Sequence, residues 1–164
     1  MKIHCKYDEL IPVENLRPYD KNRNNHPEEQ IERLAKLLRY QGIRAPLVVT
    51  KTQGGVPIIA KGHGTLAAIK LNGWNKAPVV YQEFENEEQL YSYVQSDNAI
   101  SAWSDLDFEA INIDLVDLGP DFDIDHLGIK DFVLDMSEKE EDQQESGSKK
   151  GKFKCPECGY EGKS

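Results

Sequence analysis

The run Ile58-Ile-Ala-Lys61-Gly62-His63-Gly64-Thr65-Leu-Ala-Ala-Ile-Lys70 constrains the fold more than any other stretch of the chain. Ile58 to Ala60 read as a buried strand, and Leu66 onward reads as a helix. Two glycines stand where one becomes the other. A helix start exposes unpaired N–H groups and a partial positive charge, so an anion docks there readily. Gly62 and Gly64 would let a phosphate reach the backbone. The same residues also fit a tight turn, in which glycine supplies positive φ and Thr65 caps a helix from Leu66 to Asn72. Spacing alone leaves both readings open.

The flanking sequence supplies further strands and helices. Leu10–Val13 is a short strand, with Pro12 confined to an edge or end. Arg17–Asn25 is a polar loop. Asn25 or His26 can cap a helix that opens at Pro27, with Glu28 and Glu29 in its first turn. Ile31, Leu34, Ala35 and Leu38 give that helix its apolar side, and Gly42 ends it. Pro46–Lys51 and Val56–Ala60 are β-branched runs joined by the turn signal Gln53-Gly54-Gly55. Ala77–Gln82 is another strand. Glu87–Asn98 is a helix with Leu90, Tyr91 and Val94 on one side. Leu106 to Leu118 reads as an acidic amphipathic helix that Gly119-Pro120 stops, and its apolar stripe is expected to pack on the body of the domain. Phe122–Leu134 holds one or two short helices.

Composition excludes several classes. At 164 residues with 38% hydrophobic and 30% charged, the chain suits one globular domain with appendages. No window holds the roughly 18 apolar residues of a membrane span. The start, MKIHCKYDEL, lacks an apolar signal core, so a cytoplasmic protein without membrane contact is expected. Three cysteines make no disulfide framework. The net charge of −9 is unevenly spread. Residues 1–104 carry 13 Lys/Arg against 12 Asp/Glu, residues 105–146 carry 2 against 15, and residues 147–164 carry 5 against 2. The near-neutral first part gives no charge argument for nucleic-acid binding. The acidic block is a solvated face, a mimic of nucleic acid or the counterpart of a basic partner.

Three further groups carry chemistry. His63 can hydrogen-bond a phosphate or move a proton, because its pKa lies near neutrality, or it can simply buttress the turn. Asp97-Asn98 offers hard oxygen ligands for Mg²⁺ beside phosphate, although Asn near a helix end is also a common cap. Cys155-Pro-Glu-Cys158-Gly is a zinc knuckle with half of a four-ligand site. A second copy of the chain would supply the other two thiolates and make a homodimer. His4 and Cys5 are a poorer source, and an empty knuckle is the bland alternative.

The motif order IPVENLRPYDKN, a helix ending at Gly42, the strand after Ala45-Pro46, IIAKGHGTLAAIKLNGWNKAPVV and SDNAISAW resembles the ParB/sulfiredoxin-like superfamily. It looks closest to its phage and mobile-element branch, the ParB-like nuclease domains. The resemblance implies a compact α/β (α+β) domain over residues 8–104, a small mixed sheet with flanking helices. An acidic helical extension (105–136), a disordered linker (137–151) and a zinc-knuckle-like tail (152–164) would follow. In segregating ParB proteins a G-E-R-R-x-R-A box holds the triphosphate of CTP, and an E-N-x-x-R box contributes its asparagine to Mg²⁺. The resemblance places the first box on Gly62, His63, Gly64, Thr65, Leu66, Ala67 and Ala68, and the second on Asp97, Asn98, Ala99, Ile100 and Ser101. The first box has lost its three arginines, and Ser101 replaces that of the second. Each charged contact is worth roughly 1.5–3 kcal/mol, so weak triphosphate binding is expected unless Lys61, Arg23 or Arg44 compensates. Sulfiredoxin chemistry needs a cysteine at this corner, and none is there. A helix-turn-helix region, as in segregating ParB proteins, is not expected in the short, acidic stretch after residue 104. The expected function is a nucleotide-, phosphate- or DNA-associated module that serves DNA modification or processing through partners such as a DNA-modifying enzyme. The alternatives are a metal-dependent nuclease or NTPase centred on His63 and Asp97-Asn98, and an acidic interaction module with an inactive pocket.

Overall fold

The computed structural model describes residues 1–52, 54–130 and 132–133, and the strand backbone of 152–154 and 161–163. The chain divides into two units, Met1–Leu134 and Asp135–Ser164.

In the first unit, strands β1 (Glu9–Pro12), β2 (Arg17–Pro18), β3 (Leu47–Lys51), β4 (Pro57–Lys61) and β5 (Lys76–Tyr81) form one sheet in the order β1-β5-β3-β4-β2. The β1–β5 and β3–β4 pairs are antiparallel, and β3–β5 and β2–β4 are parallel, so the sheet is mixed as expected. Pro12 lies at the end of an edge strand, where its missing N–H costs nothing. Helices α1 (Glu28–Gln41), α2 (His63–Leu71), α3 (Glu87–Ser101) and α4 (Phe108–Leu118) complete the unit, with 3₁₀ turns at Val13–Asn15 and Ile124–Leu127.

The alternation of β residues separates two apolar clusters. Leu47, Val49, Ile59, Ala77 and Val79 join Ala35 and Leu38 of α1 and Leu66, Ala68 and Ile69 of α2. Val48 and Ala60 join Leu90 and Val94 of α3, together with Tyr19. Helices α1 and α2 therefore cover one face of the sheet and α3 the other.

Several local expectations need correcting. Arg17–Pro18 is not loop but a two-residue strand on β4. Pro27 is the cap of α1, not its first residue, and it offers no side-chain acceptor. Thr65 does not cap α2: the helix begins at His63, behind Gly62 at φ +100°. Helix α3 runs on to Ser101, which places Asp97 and Asn98 inside it. Tyr91 is exposed, and it is Tyr93 of α3 that packs against the cluster holding Leu90 and Val94. Most of the acidic helix's apolar stripe does not pack on the body: of α4 only Leu115 is buried. The expected linker 137–151 lies outside the described residues, as do Cys155 and Cys158. The second unit shows an antiparallel pair, β6 (Lys152–Lys154) and β7 (Glu161–Lys163).

Candidate functional site

The turn from β4 into α2 is shaped by its neighbours. Gly62 has φ +100°, and a Cβ there would stand 2.5 Å from Leu47 Cδ2, so backbone conformation and core packing both favour glycine. The first intrahelical bond of α2 runs from Leu66 N–H to Gly62 O at 2.8 Å. The amides of His63, Gly64 and Thr65 therefore lack intrahelical acceptors. Gly64 is buried beneath the His26 imidazole, and a Cβ on it would lie 3.1 Å from that ring. The gap that glycine leaves at 64 thus admits a side chain of α1's entry loop.

These residues border a cavity of about 180 Å³ lined by His26, Gln30, Ile31, Leu34, Ala60, Lys61, Gly62, His63, Gly64, Thr65, Asp97 and Asn98. Every phosphate-site candidate read from the sequence is on that wall. The two boxes meet because β4 and α3 pack against each other, with Ala60 beside Val94 in one cluster. Small-molecule pockets commonly measure roughly 300–1,000 Å³, so this cavity suits a phosphate group or two and not a whole nucleotide.

Charge here is sparse. Lys61 Nζ pairs with the Asp97 carboxylate, and their side chains are 50% and 29% exposed. The hydrogen bond to Asp97 raises the Lys61 pKa, so the ammonium persists at neutral pH. Of the three cations considered as substitutes for the missing arginines, only Lys61 lines the cavity. Arg23 reaches Asp20 O, and Arg44 reaches Gln41 O. Asn98 Oδ1 accepts from Asn24 Nδ2 at 3.0 Å, and its own Nδ2 donates to Val94 O at 3.0 Å. Asp97 and Asn98 could give Mg²⁺ one or two oxygens, and phosphate and water would have to complete the octahedron. Among the described residues no group of three or more His, Cys, Asp or Glu is placed to hold a metal.

His63 Nε2 accepts the Tyr19 N–H at 3.2 Å, which puts the ring proton on Nδ1. Burial, and then the neighbouring His26, push its pKa down. His63 is therefore a neutral buttress that ties α2 to the segment after β2. That segment is laced to α3. The Tyr19 hydroxyl donates to Glu87 Oε1 at 2.6 Å, Lys21 pairs with Glu87 at 2.9 Å, and Gln95 Nε2 donates to Lys21 O at 2.9 Å. Burial and the Glu87 bond push the Tyr19 hydroxyl up to about 12. Sequence reasoning missed His26 and Gln30, whose Nδ1 and Oε1 lie 3.0 Å apart. The signal was present in Asn25-His26-Pro27, but it reads as a helix cap.

The model of the ParB N-terminal domain family matches residues 4–98, more than half of the chain. The protein belongs to that family. A nucleoid occlusion protein of Halalkalibacterium halodurans is 34% identical to this ParB-family chain over 89 residues, which are 54% of this chain and 31% of that protein. The chain thus matches about a third of that relative's length. The C-terminally truncated chromosome-partitioning protein ParB of Caulobacter crescentus, complexed with CTP-γ-S, superposes with a TM-score of 0.58 at 20% identity, covering 67% of this chain and 61% of that one. Sulfiredoxin of Arabidopsis thaliana gives a TM-score of 0.43 at 16% identity, over 53% of this chain and 98% of its own. The family relationship and the mixed five-stranded sheet agree with the fold expected from the sequence.

Proposed function

We propose that this ParB-family domain binds the phosphate groups of a nucleotide at the start of α2 and acts in a DNA-associated process through a partner such as a DNA-modifying enzyme. The observation that carries the reading is the meeting of Lys61, the free amides of His63 to Thr65, and Asn98 on one cavity wall. The CTP-γ-S complex of the Caulobacter ParB and the nucleoid occlusion relative support it by kinship. Asn98 would contribute its Oδ1 to Mg²⁺ once Asn24 releases it. Lys61 is the counterion in place of the family's arginines. An exposed ion pair contributes up to about 1 kcal/mol, so a doubly charged phosphate can draw Lys61 from Asp97. Metal-dependent hydrolysis centred on His63 has less support, because its acceptor nitrogen already takes the Tyr19 amide.

Titration calorimetry with CTP, CDP, CMP and inorganic phosphate, with and without Mg²⁺, tests the site. Weak Mg²⁺-assisted nucleotide binding is expected, reduced about ten- to a hundredfold in Lys61→Met. No heat with any of these ligands would leave the inactive-pocket reading in force. Cys155 and Cys158 are proposed as half of a zinc site completed by a second chain. Elemental analysis should then find about one zinc per two chains, and a Cys155→Ser protein should lose it.

A further inference from the structure

Seven of the thirteen exposed large hydrophobic side chains among the described residues fall between Ile100 and Leu118. Helix α4 accounts for much of this, because it is apolar on two sides. Leu115 is buried, and Phe108 stacks on Phe132 with centroids 6.0 Å apart, which seats one side on the unit. Ile113 and Val116 are 64% and 79% exposed. At about 100° per residue they point roughly 100–160° away from Leu115 and lie one turn from each other. Trp103, in the turn that leads toward α4, is 80% exposed. Between Asp97 and Lys130 the sequence has eight Asp/Glu and no Lys or Arg. Glu109 and Asp117 stand four residues on either side of Ile113, on its own face of the helix.

We infer that this face of α4 is a docking site for a basic amphipathic helix of another protein. The partner's apolar side would cover Ile113 and Val116, and its Lys or Arg residues would meet Glu109 and Asp117. Charge selects the occupant. A second copy would bring one acidic face against another, and nucleic acid or an anionic membrane would be repelled in the same way. The surface uses no residue of the α2 cavity, so it stands independently of nucleotide binding.

Fluorescence anisotropy with the full chain tests the inference. The probe is a labelled synthetic amphipathic peptide with leucine on one helical face and lysine on the other. A scrambled peptide of the same composition and a leucine–glutamate version are the controls. The ordered leucine–lysine peptide should bind best, and more weakly as salt rises. Ile113→Ser with Val116→Ser should reduce affinity at least about tenfold, since both positions lose the apolar surface that the partner would cover. Glu109→Gln with Asp117→Asn should reduce both affinity and salt dependence. Equal binding of ordered and scrambled peptides, or affinity untouched by the Ile113/Val116 pair, overturns the inference. So does sedimentation showing a dimer that this pair dissolves, because the face would then belong to a second copy.

Discussion

Gly62 and His63 are neighbours with different duties. Gly62 is held by backbone and core: its φ is +100° and its missing Cβ makes room for Leu47. Gly62→Ala should therefore cost about 1–3 kcal/mol in chemical denaturation, whatever the ligand state. His63 is a half-buried acceptor whose folded pKa lies below the usual 6.5. Below that value the unfolded chain takes up the proton and the folded one resists, so stability falls as pH drops from 6.5 toward the depressed folded pKa. His63→Gln keeps an acceptor for the Tyr19 amide without the titration. Melting temperatures recorded from pH 7.5 to 5 should fall less steeply in the variant. An unchanged slope would place the acid sensitivity of that range in a group other than His63.

Helix existence was readable from apolar spacing, but helix starts were not. Thr65 and Asn25 both looked like caps because their side chains accept hydrogen bonds. The chain instead enters α2 through a positive φ at Gly62, and enters α1 at Pro27. Where caps did form, Asn86 Oδ1 accepts from Gln89 N–H at 2.8 Å and Asp107 Oδ1 accepts from Ala110 N–H at 3.0 Å. Helix α4 shows the other limit. Its acidic, apolar pattern announced a helix, yet periodicity could not say which apolar residues would meet the body. Leu115→Ala should cost about 2–4 kcal/mol, and Val116→Ser should stay within about 0.5 kcal/mol of the parent, both by urea denaturation. Comparable losses at the two positions would mean that Val116 is covered in solution.

For the molecule as a whole, ligand binding and stability are linked. A nucleotide held at about a hundred times its dissociation constant adds about 2.7 kcal/mol to the folded state. That increment should appear in thermal melts of the parent with Mg²⁺ and shrink in Lys61→Met at the same nucleotide concentration. An equal shift in both proteins would remove Lys61 from the site. Among the described residues, no helix is long and apolar enough to cross a membrane. The cysteine pair falls in the second unit, Asp135–Ser164.

Local pattern determined much of the fold. The β-branched runs, the glycine corner and the helical spacing of Leu34, Ala35 and Leu38 each depend on neighbours a few residues away. Through the order of its boxes the sequence also pointed to the family. Tertiary packing decided the chemistry of the corner, because that depends on residues far apart in the chain. It brought His26 onto Gly64, Tyr19 onto His63, and Asp97 onto Lys61. Interactions across such separations leave no periodicity in the sequence, since what joins the partners is the shape of the sheet and the helices on its two faces.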